Sequence, residues 1–222
     1  MVGRSCTGCD PVQALDRMAA SKARLEELRL QTHFTKNELA NLHNRFKDLT
    51  PHPHNTKIDR NKFRDVLHEH FDIDDSLLMD RVFKTFDQDN DNLISFDEWI
   101  FGHSVFLKGT LEEKRKFCFL VFDLNGDGYI SKEEMFQMLQ KCLVKQSSEE
   151  DSEEGIKELV DLILKKMDCD RDGRVSQADY VETVKQEPLL LEAFGQCLPS
   201  EKTRLAFLPP DDGNNTMTPG FQ

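Results

Sequence analysis

The chain has 222 residues, 38% of them hydrophobic, with sixteen Phe and a formal net charge of −12. The charge is uneven: residues 1–60 hold ten Lys/Arg against seven Asp/Glu, whereas the remaining 162 hold nineteen against thirty-four. So acidic a body repels nucleic-acid phosphate and suits bound cations or a basic partner segment.

The start, MVGRSCTGCD, lacks the apolar stretch of a secretory signal and has no glycine after Met1 for N-myristoylation. No apolar run approaches the roughly 20 residues that span a bilayer, so no membrane anchor is expected. Six cysteines (Cys6, Cys9, Cys118, Cys142, Cys169 and Cys197) are scattered along the chain. That pattern fits a reduced, intracellular protein better than a disulfide framework. Cys118, between Phe117 and Phe119, reads as a small core residue, and the lone Cys6/Cys9 pair is a weak metal signal.

Residues 1–34 form an N-terminal arm. Within 10–31, Leu15, Met18, Leu25 and Leu28 fall among alternating charges, which predicts an exposed amphipathic helix reaching toward a partner or filament. Residues 35–70 read as helix, loop, helix. Thr35 with Glu38 forms a capping box, Leu42, Phe46 and Leu49 supply the apolar stripe, and Phe63, Val66 and Leu67 begin the second helix. The loop between them, TPHPHNTKID, carries His52, His54 and two prolines, and keeps Ile58 as its apolar member.

Residues 76–106 repeat this arrangement around DQDNDNLISFDE (87–98), 111–143 around DLNGDGYISKEE (123–134), and 156–186 around DCDRDGRVSQAD (168–179). Each twelve-residue loop has oxygen-bearing side chains at positions 1, 3, 5, 9 and 12 and an aliphatic residue at position 8. Helix, twelve-residue loop, helix is the EF-hand. The predicted fold is therefore all-α, two lobes of paired hands, with the first hand degenerate. One lobe covers 35–107, pairing 35–70 with 76–106. The other covers 108–198, pairing 111–143 with 156–186 and ending in a closing helix over 187–198. Gly109 and a Thr110/Glu113 capping box mark the boundary, and Ile58, Ile94, Ile130 and Val175 should pair in short two-stranded bridges. The insertion KQSSEEDSEEG (145–155) reads as a solvated connector, and 199–222 as a disordered tail.

A calcium ion takes six to eight oxygens at about 2.3–2.6 Å, with a sharp turn at position 6 and a bidentate Glu at position 12. Loop 123–134 meets each requirement with Asp123, Asn125, Asp127, Gly128, the Tyr129 carbonyl, Ser131 and Glu134. Loop 87–98 offers Asp87, Asp89, Asp91, the Leu93 carbonyl, Ser95 and Glu98, but Asn92 replaces glycine at the turn. Asn tolerates the left-handed region, so a working but strained loop is expected. Loop 168–179 offers Asp168, Asp170, Asp172, the Arg174 carbonyl and Ser176, then ends in Asp179. Aspartate is one methylene shorter than glutamate, so magnesium competes with calcium there. Up to three calcium sites result. In the first hand Lys62 stands where the last carboxylate belongs, and the loop is one residue too long.

Nothing in the sequence resembles catalysis. The seven His residues lie without a matching nucleophile motif, and no phosphate-cradling glycine loop is present. Four hands with a defunct, Pro-containing first loop are the layout of the neuronal calcium sensor family and its relatives. The stretches DRNKFRDVLHEHF, MDRVFKTFDQDND, FLKGTLEEKRKFCFLVFDLNGDGYISKEEMF, EEGIKELVDLILKKMD and LLLEAFGQCLP carry a closer resemblance, over about residues 58–199, to the calaxin family.

That resemblance implies a non-enzymatic calcium sensor of motile cilia and flagella. It would contact outer-arm dynein and docking-complex proteins on axonemal doublet microtubules, as a monomer within a larger assembly of the cytoplasm and cytoskeleton. A cytosolic calcium buffer, or a regulatory subunit of a phosphatase or channel, remains the alternative. Phe117, Phe119, Phe122, Met135, Phe136 and Met138 are groove candidates in the second lobe, each also a natural core residue. Leu189, Leu190, Leu191 and Phe194 could fold back over that groove.

Overall fold

The computed structural model describes residues 23–51, 56–143 and 149–209. Helix α1 covers 23–31, and α2 (Lys36–Leu49), β1 (Ile58–Asp59) and α3 (Arg60–Phe71) follow. The second hand comprises α4 (Ser76–Phe86), β2 (Leu93–Ile94) and α5 (Phe96–Lys108). The third comprises α6 (Leu111–Phe122), β3 (Tyr129–Ile130) and α7 (Lys132–Leu143). The fourth comprises α8 (Glu149–Met167), β4 (Val175–Ser176) and α9 (Gln177–Gln186). A 3₁₀ turn at Pro188–Glu192 and helix α10 (Glu201–Phe207) complete the described chain.

The two lobes of paired hands form as the periodicity dictates. Capping boxes open α2 at Thr35/Glu38 and α6 at Thr110/Glu113, so both predicted helix starts are where hydrogen bonding places them. The position 8 residues meet across the lobes: Ile58 faces Ile94 and Ile130 faces Val175, in two antiparallel bridges. All four are fully buried, so each bridge is also the floor of its lobe's core. Phe63 packs edge-on against Phe86 with ring centroids 4.9 Å apart, and Trp99 lies 6.4 Å from Phe63. Gly102 in α5 faces the Phe86 ring directly; a Cβ there would overlap the ring, so only glycine lets α5 lie this close to α4.

Four parts of the sequence reading need correction, and others fall outside the described residues. Helix α1 does not project away: Leu28 is buried, Arg24 Nε bonds Asp97 Oδ1 at 3.3 Å, and the His33 N–H bonds Ser104 Oγ at 3.0 Å. The described part of the stripe, Leu25 and Leu28, packs on the chain's own first lobe. Leu15, Met18, Cys6 and Cys9 lie outside the described residues, as do His52 and His54. Helix α8 begins at Glu149, so much of the acidic insertion is helical rather than connector; Glu and Asp near a helix start favour this through the helix dipole.

The third correction concerns the end of the chain. The predicted disordered tail begins with an ordered helix, α10, capped by Ser200, whose side chain accepts the Thr203 N–H. Phe207 and Leu208 are buried at its end. Residues 210–222 lie outside the described residues. The last correction is local: Leu189 is 97% exposed and takes no part in closing the second lobe, whereas Phe194, Cys197 and Leu198 are buried there.

Candidate metal centres

Each loop follows directly from a helix, and its position 1 aspartate is the residue that ends that helix. Asp87 caps α4 and Asp123 caps α6, their N–H groups bonding Phe83 O and Phe119 O. In each loop the backbone N–H groups point inward at the first carboxylate. In the third loop Gly126 and Gly128 N–H donate to Asp123 Oδ1 and Oδ2 at 2.7 and 2.9 Å. In the second, Asp91 and Asn92 N–H donate to Asp87 at 3.1 and 2.9 Å. In the fourth, Arg171 and Gly173 N–H donate to Asp168 at 2.7 and 2.9 Å.

The turn at position 6 has positive φ in all three: 64° at Asn92, 86° at Gly128 and 87° at Gly173. Asn92 therefore adopts the left-handed conformation that glycine takes elsewhere, at the strain a side chain incurs there. The loops thus converge on one backbone course despite different residues. Ligand oxygens of Asp87, Asp89 and Asp91 lie within 4.8 Å of one another, as do those of Asp168, Asp170 and Asp172. The third loop has one carboxylate fewer, and there Asn125 Nδ2 donates to Asp127 Oδ2 at 3.0 Å.

Position 9 and position 12 form one unit. Ser95, Ser131 and Ser176 each accept the N–H of position 12, and each donates its hydroxyl back to the position 12 carboxylate, at 2.6, 2.8 and 2.6 Å. The helix cap therefore holds one carboxylate oxygen in place. In the glutamates the second oxygen reaches back to the loop start. Glu98 Oε1 accepts Gln88 and Asp89 N–H at 2.9 and 3.2 Å, and Glu134 Oε1 accepts Asn125 N–H at 3.0 Å. Asp179 makes the capping bonds alone, and among the described residues no N–H from the start of its loop meets it.

Electrostatics follow from the crowding of acids. Burial pushes the Asp87 carboxyl up, and the Glu98 charge adds to it. Burial also opposes ionisation of Glu98, but the bonds from Ser95, Asp89 and Gln88 hold it below the ordinary carboxylate range. Against the same cost, N–H groups of Gly173, Arg171 and Asp172 hold Asp168 down. Asp91 is lowered chiefly by its bond to the Lys57 ammonium.

The first loop differs in kind. Lys62, at the place of the last carboxylate, sends Nζ to the Leu49 carbonyl at 3.0 Å, at the end of α2. An ammonium thus ties the two helices that a bound ion would tie in the other hands. Asp59 takes over the cap of α3, accepting the Lys62 N–H at 3.0 Å. Sequence reading found the missing acid but not this replacement, which depends on the distance between helix ends.

Hard oxygen donors, short carboxylates on a prefolded backbone and a carbonyl at position 7 suit a divalent hard cation. The donor set therefore fits calcium in the second and third loops, and a six-oxygen ion in the fourth. A family model described as an EF-hand domain pair matches residues 112–185, and a second EF-hand domain pair model matches 54–101. Calaxin of Xenopus laevis is 55% identical over 183 residues, covering 81% of this chain and 88% of that protein. Calaxin of Bos taurus is 56% identical over 180 residues, covering 79% and 85%, and calaxin of Homo sapiens 60% over 150, covering 68% and 71%. The chain is a calcium-binding protein of the EF-hand type and belongs to the calaxin family.

Proposed function

We propose that this chain is a non-enzymatic calcium sensor and adaptor of motile cilia, contacting outer-arm dynein or its docking proteins on axonemal microtubules. In this reading Asp87, Asp89, Asp91, the Leu93 carbonyl and Glu98 hold one calcium ion. Asp123, Asn125, Asp127, the Tyr129 carbonyl and Glu134 hold a second. Asp168, Asp170, Asp172, the Arg174 carbonyl and Asp179 form a third, weaker site where magnesium competes. A bound ion would supply a centre that draws the first and last carboxylates of each loop together.

The observation that carries the sensor reading is that both lobes are closed by the chain's own C-terminal segments. In the second lobe Phe194 packs on Phe122 with centroids 5.2 Å apart, and the Tyr180 hydroxyl donates to Leu191 O at 2.5 Å. Phe117, Phe119, Phe122, Met135 and Met138 are buried, Phe117 against Phe86 and Phe106 of the first lobe, and Phe136 is the half-buried member of the candidate groove. In the first lobe Phe207 of α10 lies 4.7 Å from Phe71 and stacks on His103 at 5.4 Å. Lobes that already hold apolar segments are built to hold apolar segments of a partner, once helix movement releases the first occupant. No helix among the described residues is long and apolar enough to cross a membrane.

Pull-down from detergent-extracted axonemes, with calcium and with chelator, tests the assignment. Recovery of outer-arm dynein or docking proteins, in an amount that calcium changes, is the expected result. Recovery of a soluble phosphatase instead, or of no axonemal protein, overturns it.

A further inference from the structure

The second and third loops differ by one carboxylate at position 3, Asp89 against Asn125, and by one neighbour. Lys57 occupies position 7 of the degenerate first loop, immediately before Ile58. The bridge that pairs Ile58 with Ile94 and Asp59 with Leu93 holds that position against the second loop. From there Lys57 Nζ forms a close ion pair with Asp91 and lies 3.5 Å from Asp89. The pair is half exposed, with 30% of the Lys57 side chain and 37% of that of Asp91 accessible.

The second lobe has no such arrangement. Its equivalent cation, Arg174, lies over the Tyr129 ring at 3.9 Å and faces Asp172 of its own loop at 3.5 Å. Among the described residues no Lys or Arg forms an ion pair with the Asp123 or Asp127 carboxylates; Arg81 reaches Asp123 at its backbone carbonyl.

We infer that Lys57 is a tethered counter-ion that sets the calcium threshold of loop 87–98. Its ammonium neutralises the extra carboxylate that this loop carries over loop 123–134. On the Oδ2 atoms of Asp89 and Asp91 the ammonium competes electrostatically with a divalent ion for the same carboxylates, so it raises the calcium needed to fill the loop. The first hand would then act on the second through charge, in addition to supporting its fold. The inference rests on the reading of 87–98 as a calcium loop.

Trp99, the sole Trp of the chain, directly follows Glu98, so its fluorescence in the full-length protein reports this loop. Glu98→Gln, which removes the last carboxylate, identifies the part of the signal that belongs to it. We expect Lys57→Gln to lower the calcium midpoint about three- to tenfold, the scale of one or two exposed ion pairs. Lys57→Arg should stay within about twofold of the parent. The difference between parent and Lys57→Gln should shrink in concentrated salt, which screens exposed charges. Equal midpoints for parent and Lys57→Gln, with the Glu98-dependent signal intact, overturn the role of Lys57 alone. Loss of any Glu98-dependent signal in the parent overturns the calcium reading of the loop, and the inference with it.

Discussion

At position 12 one methylene separates Asp179 from Glu98 and Glu134, and hydrogen bonding shows what that methylene does. Both glutamates span from the helix cap to the loop start, whereas the Asp179 carboxylate ends at the Ser176 cap. Replacing Asp179 by Glu should therefore supply the missing reach. Calorimetry of Asp179→Glu should show calcium tightening at loop 168–179 by about tenfold, on the order of 1.4 kcal/mol. An unchanged isotherm would mean that side-chain length does not limit this loop. Much at this scale is legible in the sequence, because each position within a loop is fixed by its neighbours. The roles of Lys57 and Lys62 are not, because their partners lie 13 to 34 residues away along the chain.

Among the elements, α10 is the one that sequence patterning misses. Seven residues are too few for a helix to persist alone in water, and EKTRLAF carries only a narrow apolar edge. Its stability comes from the groove of the first lobe, which exists only after the hands have paired. There Phe207 packs between Phe71 and His103, and the Arg45 guanidinium lies 4.3 Å above its ring. Phe207→Ala should remove about 1.5–3 kcal/mol of docking, seen as faster amide exchange over 201–207 with the loops unchanged. Exchange that stays slow would place the anchor elsewhere. The helices of the hands, by contrast, were predictable from their apolar spacing, since Leu42, Phe46, Val82, Phe83 and Phe86 are buried as their periodicity requires.

The same groove makes a prediction for pH. His103 is buried, bonds Trp99 O at 2.8 Å, and has its pKa pushed down to about 3, chiefly by burial, with Arg45 acting in the same direction. An unfolded His takes up its proton near pH 6.5, so between pH 6.5 and about 3 the unfolded chain binds more protons at this position. Stability contributed by the neutral ring is complete above pH 6.5. It falls as pH drops through that window, by up to about 1.4 kcal/mol per unit. Acidifying the metal-free protein should loosen the first lobe, followed by Trp99 fluorescence, and His103→Gln should flatten that response. An equally steep response in the variant would assign it to the loop carboxylates.

Over the whole molecule, Arg81 joins the lobes. From α4 it donates to the carbonyls of Leu120, Val121 and Leu124 at 2.8, 3.2 and 3.0 Å, and also to that of Asp123. It therefore caps the end of α6 at the first residue of the third loop. The helix that leads into the second loop thus holds the end of the helix that leads into the third. A cavity of about 490 Å³ opens at this junction, lined by Arg81, Asp87, Asn90, Asp123 and Gly126 among others. Two lobes could be read from the sequence, but not this clamp, since an Arg on a charged helix face carries no mark of a partner 39 to 43 residues away. Arg81→Gln should separate the lobes' responses, so that the third loop titrates without changing Trp99.

A sensor differs from a buffer in what happens to its closed lobes, and the contact between Phe207 and His103 reports that event. The most direct measurement is a calcium titration of the full chain followed by NMR at these two rings, with apolar dye binding recorded in parallel. The account predicts that filling the loops breaks the ring contact and raises dye binding. Loops that fill while Phe207 stays stacked on His103 and dye binding stays flat would contradict it and mark the chain as a buffer.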